Sequence, residues 1–268
     1  MNLLETIKGR KSVRTFDGNP LSKEHREKIE ECMKSIPNPF DIPVECKLLD
    51  AEECGLSSPV LTGEKLYVAG KVKKGPYADV AFGYSFEKLV LYAWSLGIGT
   101  VWIGGTMKRE QFEQAFGLQS GEMMPCVSPL GYPAEKRALK DVLMRKGIRA
   151  DSRIEPDKLF FNEKWGAPLT PADDMADLLE MVRWAPSAVN KQPWRIILKD
   201  GLYHFYEQKD KGYVNGKTGD LQKIDVGIAL CHFSMGLDEQ GRQHEITVSD
   251  PGIEIPNDAE YIASVRIR

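Results

Sequence analysis

The chain has 268 residues, 42% of them hydrophobic and 28% charged, which is enough for one large core or two modest ones and excludes a disordered chain. Its 36 Lys/Arg are spread out among 39 Asp/Glu, giving a net charge of -3 and none of the basic footprint that nucleic-acid binding requires. No stretch approaches about eighteen consecutive apolar residues, the start "MNLLETIKGRKSVR" has no apolar leader, and the five cysteines form no CxxC pair. The expectation is a cytoplasmic protein with reduced, mostly buried thiols, no membrane partner and no metal site.

Taken in chain order, the first chemical signal is "GRKSVRTF", Gly9 to Phe16, which places Arg10, Lys11, Ser12 and Arg14 within five positions. Guanidinium forks and a hydroxyl suit a phosphate, and an exposed basic turn suits the same residues. Next, "NPLSKEHREKIEECMKSIP" predicts a helix capped by Ser22, with Ile29, Met33 and Ile36 on its apolar face and a stop at Pro37. The densest basic run, "KVKKG" from Lys71 to Gly75, reads as a solvated loop. "ADVAFGYSFEKLVLYAWSLGIG" reads as a long core helix ending in glycine, and "TVWIGG" and "CVSPLGYP" as short β-rich runs.

Much of this design recurs downstream. "APLTPADDMADLLEMVRWAP" predicts a helix with Thr170 as cap, Pro171 in the first position, Asp173 completing the capping pattern and Met175, Leu178, Leu179 and Val182 on one face. Pro20 and Pro168 lie 148 positions apart, Pro37 and Pro186 149, and Asp79 and Asp225, each near the start of a core helix, 146. "WRIILKDGLYHFYEQ" predicts a hairpin with a type I′ turn at Asp200-Gly201, and "EITVSDPG" and "YIASVRI" close the second copy as β-rich runs. The chain therefore reads as two diverged copies of one α+β unit, residues 1–155 and 156–268, built on mostly antiparallel sheets with helices packed on them.

Between that second helix and the hairpin stands the polar loop "PSAVNKQPW", where Pro186, Ser187, Ala188, Asn190 and Gln192 precede a Pro-Trp that fixes entry into the strand. Such a loop can read a heterocycle's edge or a ribityl chain, or it can simply cap backbone groups at a helix end. Other motifs fail. "GYVNGKT" has three residues between its glycines where a P-loop needs four, so it reads as a flexible loop, and "LGIGTVWIGG" does not fit a dinucleotide fingerprint. His232 reads as a core-helix residue with one nitrogen satisfied.

Together, "RKSVRTF", "APSAVNKQPWR", "LGIGTVWIGG" and "LGYPAEKR" resemble the FMN-dependent nitroreductase superfamily. The resemblance implies an α+β sandwich whose two subunits hold FMN across an intimate dimer interface. Here the arginine-serine cluster and the polar loop lie on different repeats. The first repeat has only "SIPNPF" where the polar loop would stand, and the second has "FFNEKWG" where the cluster would stand. The chain thus looks like a fused, single-chain pseudo-dimer with one intact composite site, and a monomer is expected.

By the same resemblance, Arg10, Lys11 and Ser12 would hold the FMN phosphate and ribityl end, with Arg137 of "AEKR" as a second phosphate partner. Arg14 would approach the pyrimidine edge of the flavin, a backbone N–H of Gly104 or Gly105 would face N5, and Pro186, Ser187, Ala188, Asn190 and Gln192 would bind from the second repeat. NADH or NADPH would be the reductant and a small nitroaromatic, quinone or similar molecule the acceptor, with no protein nucleophile involved. An FMN-binding or sensory protein without efficient turnover is the alternative reading, and a flavin-free relic of the fold a third.

Overall fold

The computed structural model describes residues 2–136, 138–147 and 150–268. Helix α1 (Leu3–Gly9) starts from a capping box in which Asn2 and Glu5 satisfy each other's backbone N–H groups, and it delivers the chain into an extended segment at residues 10–16. Helix α2 (Lys23–Lys34) follows Ser22, whose hydroxyl accepts from His25 N–H at 3.2 Å, and buries Ile29. The first sheet comprises β1 (Val44–Asp50), β2 (Leu66–Lys73), β3 (Glu122–Met123) and β4 (Val127–Leu130), with β2 antiparallel to each of the others. Helices α3 (Ala78–Ser95) and α4 (Arg109–Phe116) lie between β2 and β3 in sequence, and α5 (Leu139–Gly147) follows β4.

The second sheet has the order β10 (His244–Thr247), β11 (Ala259–Ile267), β7 (Leu202–Gln208), β6 (Trp194–Lys199), β5 (Phe160–Asn162). Its pairings are antiparallel except β5 with β6. Helix α6 (Asp173–Arg183) precedes β6, and α7 (Leu221–Glu239) follows the small hairpin of β8 (Val214–Asn215) and β9 (Gly219–Asp220). The order helix, strand pair, core helix, strand therefore occurs twice, as α2-β1-β2-α3-β4 and α6-β6-β7-α7-β11. Mixed α+β architecture with mainly antiparallel sheets is what the sequence led us to expect.

Helices α3 and α7 form the centre, each buried along most of its length, and they cross at unusually close range. A Cβ at Gly83 would stand 2.1 Å from the Ile224 carbonyl oxygen, and one at Gly227 would stand 2.2 Å from that of Val80. Only glycine lets the two backbones meet in this way. The contacts are reciprocal at a spacing of 144 positions, two fewer than the spacing of Asp79 and Asp225, so Asp79 aligns with Lys223 in the crossing. One apolar cluster runs from Val68 of β2 through Phe86 and Phe233 of the crossed helices to Phe205 of β7, joining both sheets in a single core.

Several local expectations change. Helix α6 begins at Asp173 behind Ala172, because Leu169 N–H donates to the Phe160 carbonyl at 3.0 Å and Pro168 bridges Phe161, keeping the chain extended past Thr170 and Pro171. "KVKKG" is no loop at its start: Lys71 and Lys73 belong to β2, and Lys71 pairs with Glu122 across the sheet at 2.8 Å. "GYVNGKT" folds as the β8-β9 hairpin, with Asn215 Oδ1 accepting from Lys217 and Thr218 N–H groups. "TVWIGG" forms isolated bridges instead of a strand. Cys126 and Cys231 are buried, Cys32 and Cys46 half-buried and Cys54 exposed. The predicted turn is present: Asp200 has φ 50° and Gly201 φ 74°, both left-handed as type I′ demands.

Candidate active site

A cavity of about 360 Å³ opens between the two halves of the chain. Its first wall comes from the N-terminal half, with Ser12 and Arg14, then Val101 to Thr106. Its second comes from the C-terminal half, with Pro186 to Val189, Tyr213 and the start of α7. The extended backbone of residues 10–16 explains why Ser12 and Arg14 reach it, since alternate residues face the same side. Val13 N–H donates to the Thr100 carbonyl at 2.8 Å and so fixes that strand against the glycine-rich run. Lys11 points the other way and is exposed.

Arg10 is buried at the end of α1, outside the cavity lining, and close enough to Arg153 for their charges to oppose each other. Arg153 stacks on the Trp184 ring with its guanidinium carbon 4.4 Å from the ring centroid, and donates to the carbonyls of Ala150 and Ser152. Burial, reinforced by Arg10, lowers its pKa to about 10. Its Nε is buried without a hydrogen-bond partner among the described residues. Arg137 lies outside the described residues.

The polar loop is tightly braced. Val189, Asn190 and Gln192 have φ of 51°, 58° and 52°, left-handed values that such residues adopt only when their surroundings hold them. Ser187 Oγ accepts from Gln192 N–H at 2.9 Å, and Ala188 N–H donates to both oxygens of Asp225, at 3.1 and 3.0 Å. Burial holds the Asp225 carboxyl well above the usual carboxylate range. Asn190 and Gln192 face away from the cavity lining and clamp the chain linking the halves: Asn190 Nδ2 donates to the Ser152 carbonyl at 3.1 Å, and Gln192 Oε1 accepts from Ile154 N–H at 2.9 Å.

Gly104 and Gly105 both line the cavity, and nothing lies within 4 Å of where a Gly105 Cβ would stand. Arg109 secures this run from behind, donating to the carbonyls of Gly104 at 2.6 Å and Met124 at 2.5 Å. Trp102, also in the wall, donates from Nε1 to Glu87 Oε2 at 3.0 Å. Glu87 Oε1 in turn meets His232 Nε2 at 3.0 Å, while His232 Nδ1 meets the Met181 carbonyl at 2.9 Å. His232 is thus a core residue with both nitrogens partnered, one more than its sequence context indicated.

The cavity therefore gathers Ser12, Arg14, Gly104, Gly105, Pro186, Ser187 and Ala188, with Arg10 nearby and Lys11, Asn190 and Gln192 outside. Sequence reasoning missed Arg109 and Arg153, which no motif flags, set Tyr213 aside with "GYVNGKT", and noticed Asp225 only as a marker of repetition. The remaining wall is apolar, with Val101, Ile103, Ile224 and Ile228, a surface suited to a flat aromatic ligand. Cys126 lies in the same wall, where burial pushes its thiol far above the reactive range. No metal cluster occurs among the described residues, and none of their helices is long and apolar enough to cross a membrane.

Two crossed core helices thus join two mainly antiparallel sheets, and a cavity is walled by both halves. The chain belongs to the nitroreductase family whose model, described as "Putative TM nitroreductase", matches residues 2–237. A curated relative from Archaeoglobus fulgidus, named "Putative NADH dehydrogenase/NAD(P)H nitroreductase", is 27% identical over 179 residues, covering 60% of this chain and 98% of the relative. The solved structure of a protein from Thermotoga maritima described as "a putative nitroreductase" superposes with a TM-score of 0.64 at 21% identity, covering 99% of this chain and 93% of that one. An FMN-dependent nitroreductase from Clostridium difficile gives a TM-score of 0.44 at 18% identity, covering 50% of this chain and 89% of its own.

Proposed function

We propose that the chain is an FMN-dependent NAD(P)H oxidoreductase in which the halves 1–155 and 156–268 build one cofactor site between them. The observation that carries this reading is the shared cavity, where Ser12, Arg14 and the Gly104-Gly105 run face Pro186, Ser187 and Ala188. The donor set fits FMN at each end. Arg10, buried at the end of α1, and the half-buried Arg153 beside it are guanidiniums that suit a phosphate, and the Arg153 Nε has no hydrogen-bond partner among the described residues. The apolar walls suit an isoalloxazine ring.

When bound, FMN supplies the redox chemistry, accepting a hydride from NADH or NADPH and passing two electrons to an acceptor such as a nitroaromatic or quinone. The protein's task is to bind and orient. Arg14 would present positive charge to the ring from the cavity wall, where a cation favours the charge that develops on reduction. Backbone N–H groups at Gly104 and Gly105 offer donors that Arg109 holds in place through the Gly104 carbonyl. Asp225 fixes the Ala188 backbone, so the polar loop presents side chains and the exposed Val189 at the rim instead of a mobile turn. Val101, Ile103, Ile224 and Ile228 exclude water from the ring face, which strengthens each of those electrostatic contacts.

One FMN per chain follows. Where the first half would need a polar loop, Phe40 stacks on Tyr77 at 5.6 Å between ring centroids, and the Asn38 amide is already committed to the Ile42 carbonyl at 2.7 Å and Ser85 Oγ at 3.1 Å. The test is to add excess FMN, desalt, and titrate anaerobically with NADH and NADPH while following the flavin band at about 450 nm. Retained flavin that bleaches supports the proposal. Retained flavin that neither nucleotide bleaches replaces it with a binding role, and a colourless protein rejects the FMN assignment.

A further inference from the structure

We infer that Asp141 is a positioning residue for Arg14 and sets the redox potential of FMN held in the composite cavity. The inference rests on the cofactor reading above but concerns a residue that no motif or resemblance assigned. Asp141 Oδ1 meets Arg14 Nη1 at 3.1 Å, and the two side chains are only 2% and 9% exposed. Arg14 is part of the cavity wall and Asp141 is not, so the carboxylate meets the guanidinium from outside the wall. Its place is fixed by backbone. Asp141 N–H donates to the Ala138 carbonyl at 3.0 Å, and Ala138 N–H donates to Thr15 Oγ1 at 3.0 Å, which pins the start of α5 to the strand that carries Arg14.

Two consequences follow from such an arrangement. A long, flexible guanidinium is held in one orientation at the cavity wall, and part of its field there is cancelled by an anion one contact away. Reduced FMN carries more negative charge at its pyrimidine end than oxidised FMN does, so the uncancelled remainder of Arg14's charge decides how strongly reduction is favoured. Neutralising Asp141 leaves Arg14 uncompensated. The reduced cofactor then binds more tightly relative to the oxidised one, and the midpoint potential rises.

The experiment reconstitutes wild-type, Asp141→Asn, Asp141→Ser and Asp141→Glu chains with FMN. Flavin fluorescence gives the affinity for oxidised FMN, and equilibration with reference dyes at fixed pH gives the midpoint potential. For Asn and Ser the ratio of reduced to oxidised affinity is expected to rise about tenfold, which for a two-electron couple is about 30 mV upward. The Glu variant, which keeps the charge, stays at the wild-type value. A purely structural role would weaken FMN binding in both redox states alike and leave the potential unmoved. Unchanged or lower potentials in the Asn and Ser variants overturn the inference while leaving the FMN assignment intact, whereas a wild-type chain that binds no FMN overturns the assignment beneath it.

Discussion

Arg153 stands beside Arg10 with its pKa pulled down to about 10, chiefly by burial, and its Nε has no hydrogen-bond partner among the described residues, which leaves a charged donor for a bound phosphate. Arg153→Ala should therefore weaken FMN by about 2 kcal/mol, roughly thirtyfold, and leave riboflavin, which lacks the phosphate, unchanged in parallel fluorescence titrations. Equal loss for both ligands would mean that Arg153 only supports the Trp184 stack. A second charge effect lies at Glu207, where burial raises the carboxyl from 4.5 to about 8. The folded chain keeps a proton there that the unfolded chain loses, so stability falls as pH rises from about 4.5 to about 8 and levels off beyond. Replacing the group with Glu207→Gln should flatten that decline in urea unfolding. A smaller slope below about 6 should persist from Asp79, whose carboxyl burial raises from 3.8. At this scale, Ser12 and Arg14 stood out because a hydroxyl and guanidiniums crowd the short run "RKSVR". Arg153 and Asp141 did not, because their meaning comes from long-range contacts with Arg10 and Arg14 that no local pattern encodes.

The α3-α7 crossing depends on glycine at two reciprocal positions. A methyl at Gly83 or Gly227 would sit near 2 Å from a carbonyl oxygen, and backbone cannot yield as a side chain can. Gly83→Ala and Gly227→Ala should each cost about 2 kcal/mol or more in chemical denaturation, outweighing the roughly 1 kcal/mol that alanine otherwise gains in a helix interior. Stabilised variants would show that the helices can separate without loss. Both core helices, the Ser22 cap and the Asp200-Gly201 turn were legible because periodicity, capping and φ preference are local properties. The start of α6 was not, since a tertiary hydrogen bond from Leu169 to Phe160 overrode the local Thr170-Pro171 signal. The Asp79-Asp225 spacing likewise misjudged the register, which glycine contacts and not acidic residues define.

Across the whole molecule, one core joins both sheets through the crossed helices, an arrangement that in separate subunits would be an interface. Because that surface is enclosed within one chain, light scattering on a sizing column should give a monomer near the 30.1 kDa chain mass. A stable dimer would require a further apolar contact on the exterior. The α+β class was readable before the fold was known, and so was the placement of the two motifs on different halves, because the resemblance to the nitroreductase superfamily pairs the cluster with the loop. Linker geometry was beyond reach: the role of Asn190 and Gln192 in clamping residues 152–154 depends on how the halves meet.

The central claim is that one site is built jointly by both halves, and calorimetric titration of FMN into purified chains tests it directly. One FMN per chain is expected, with binding weakened at least tenfold both by Arg14→Gln in the first half and by Ser187→Trp in the second. Two FMN per chain, or full binding retained in either variant, would contradict the shared site.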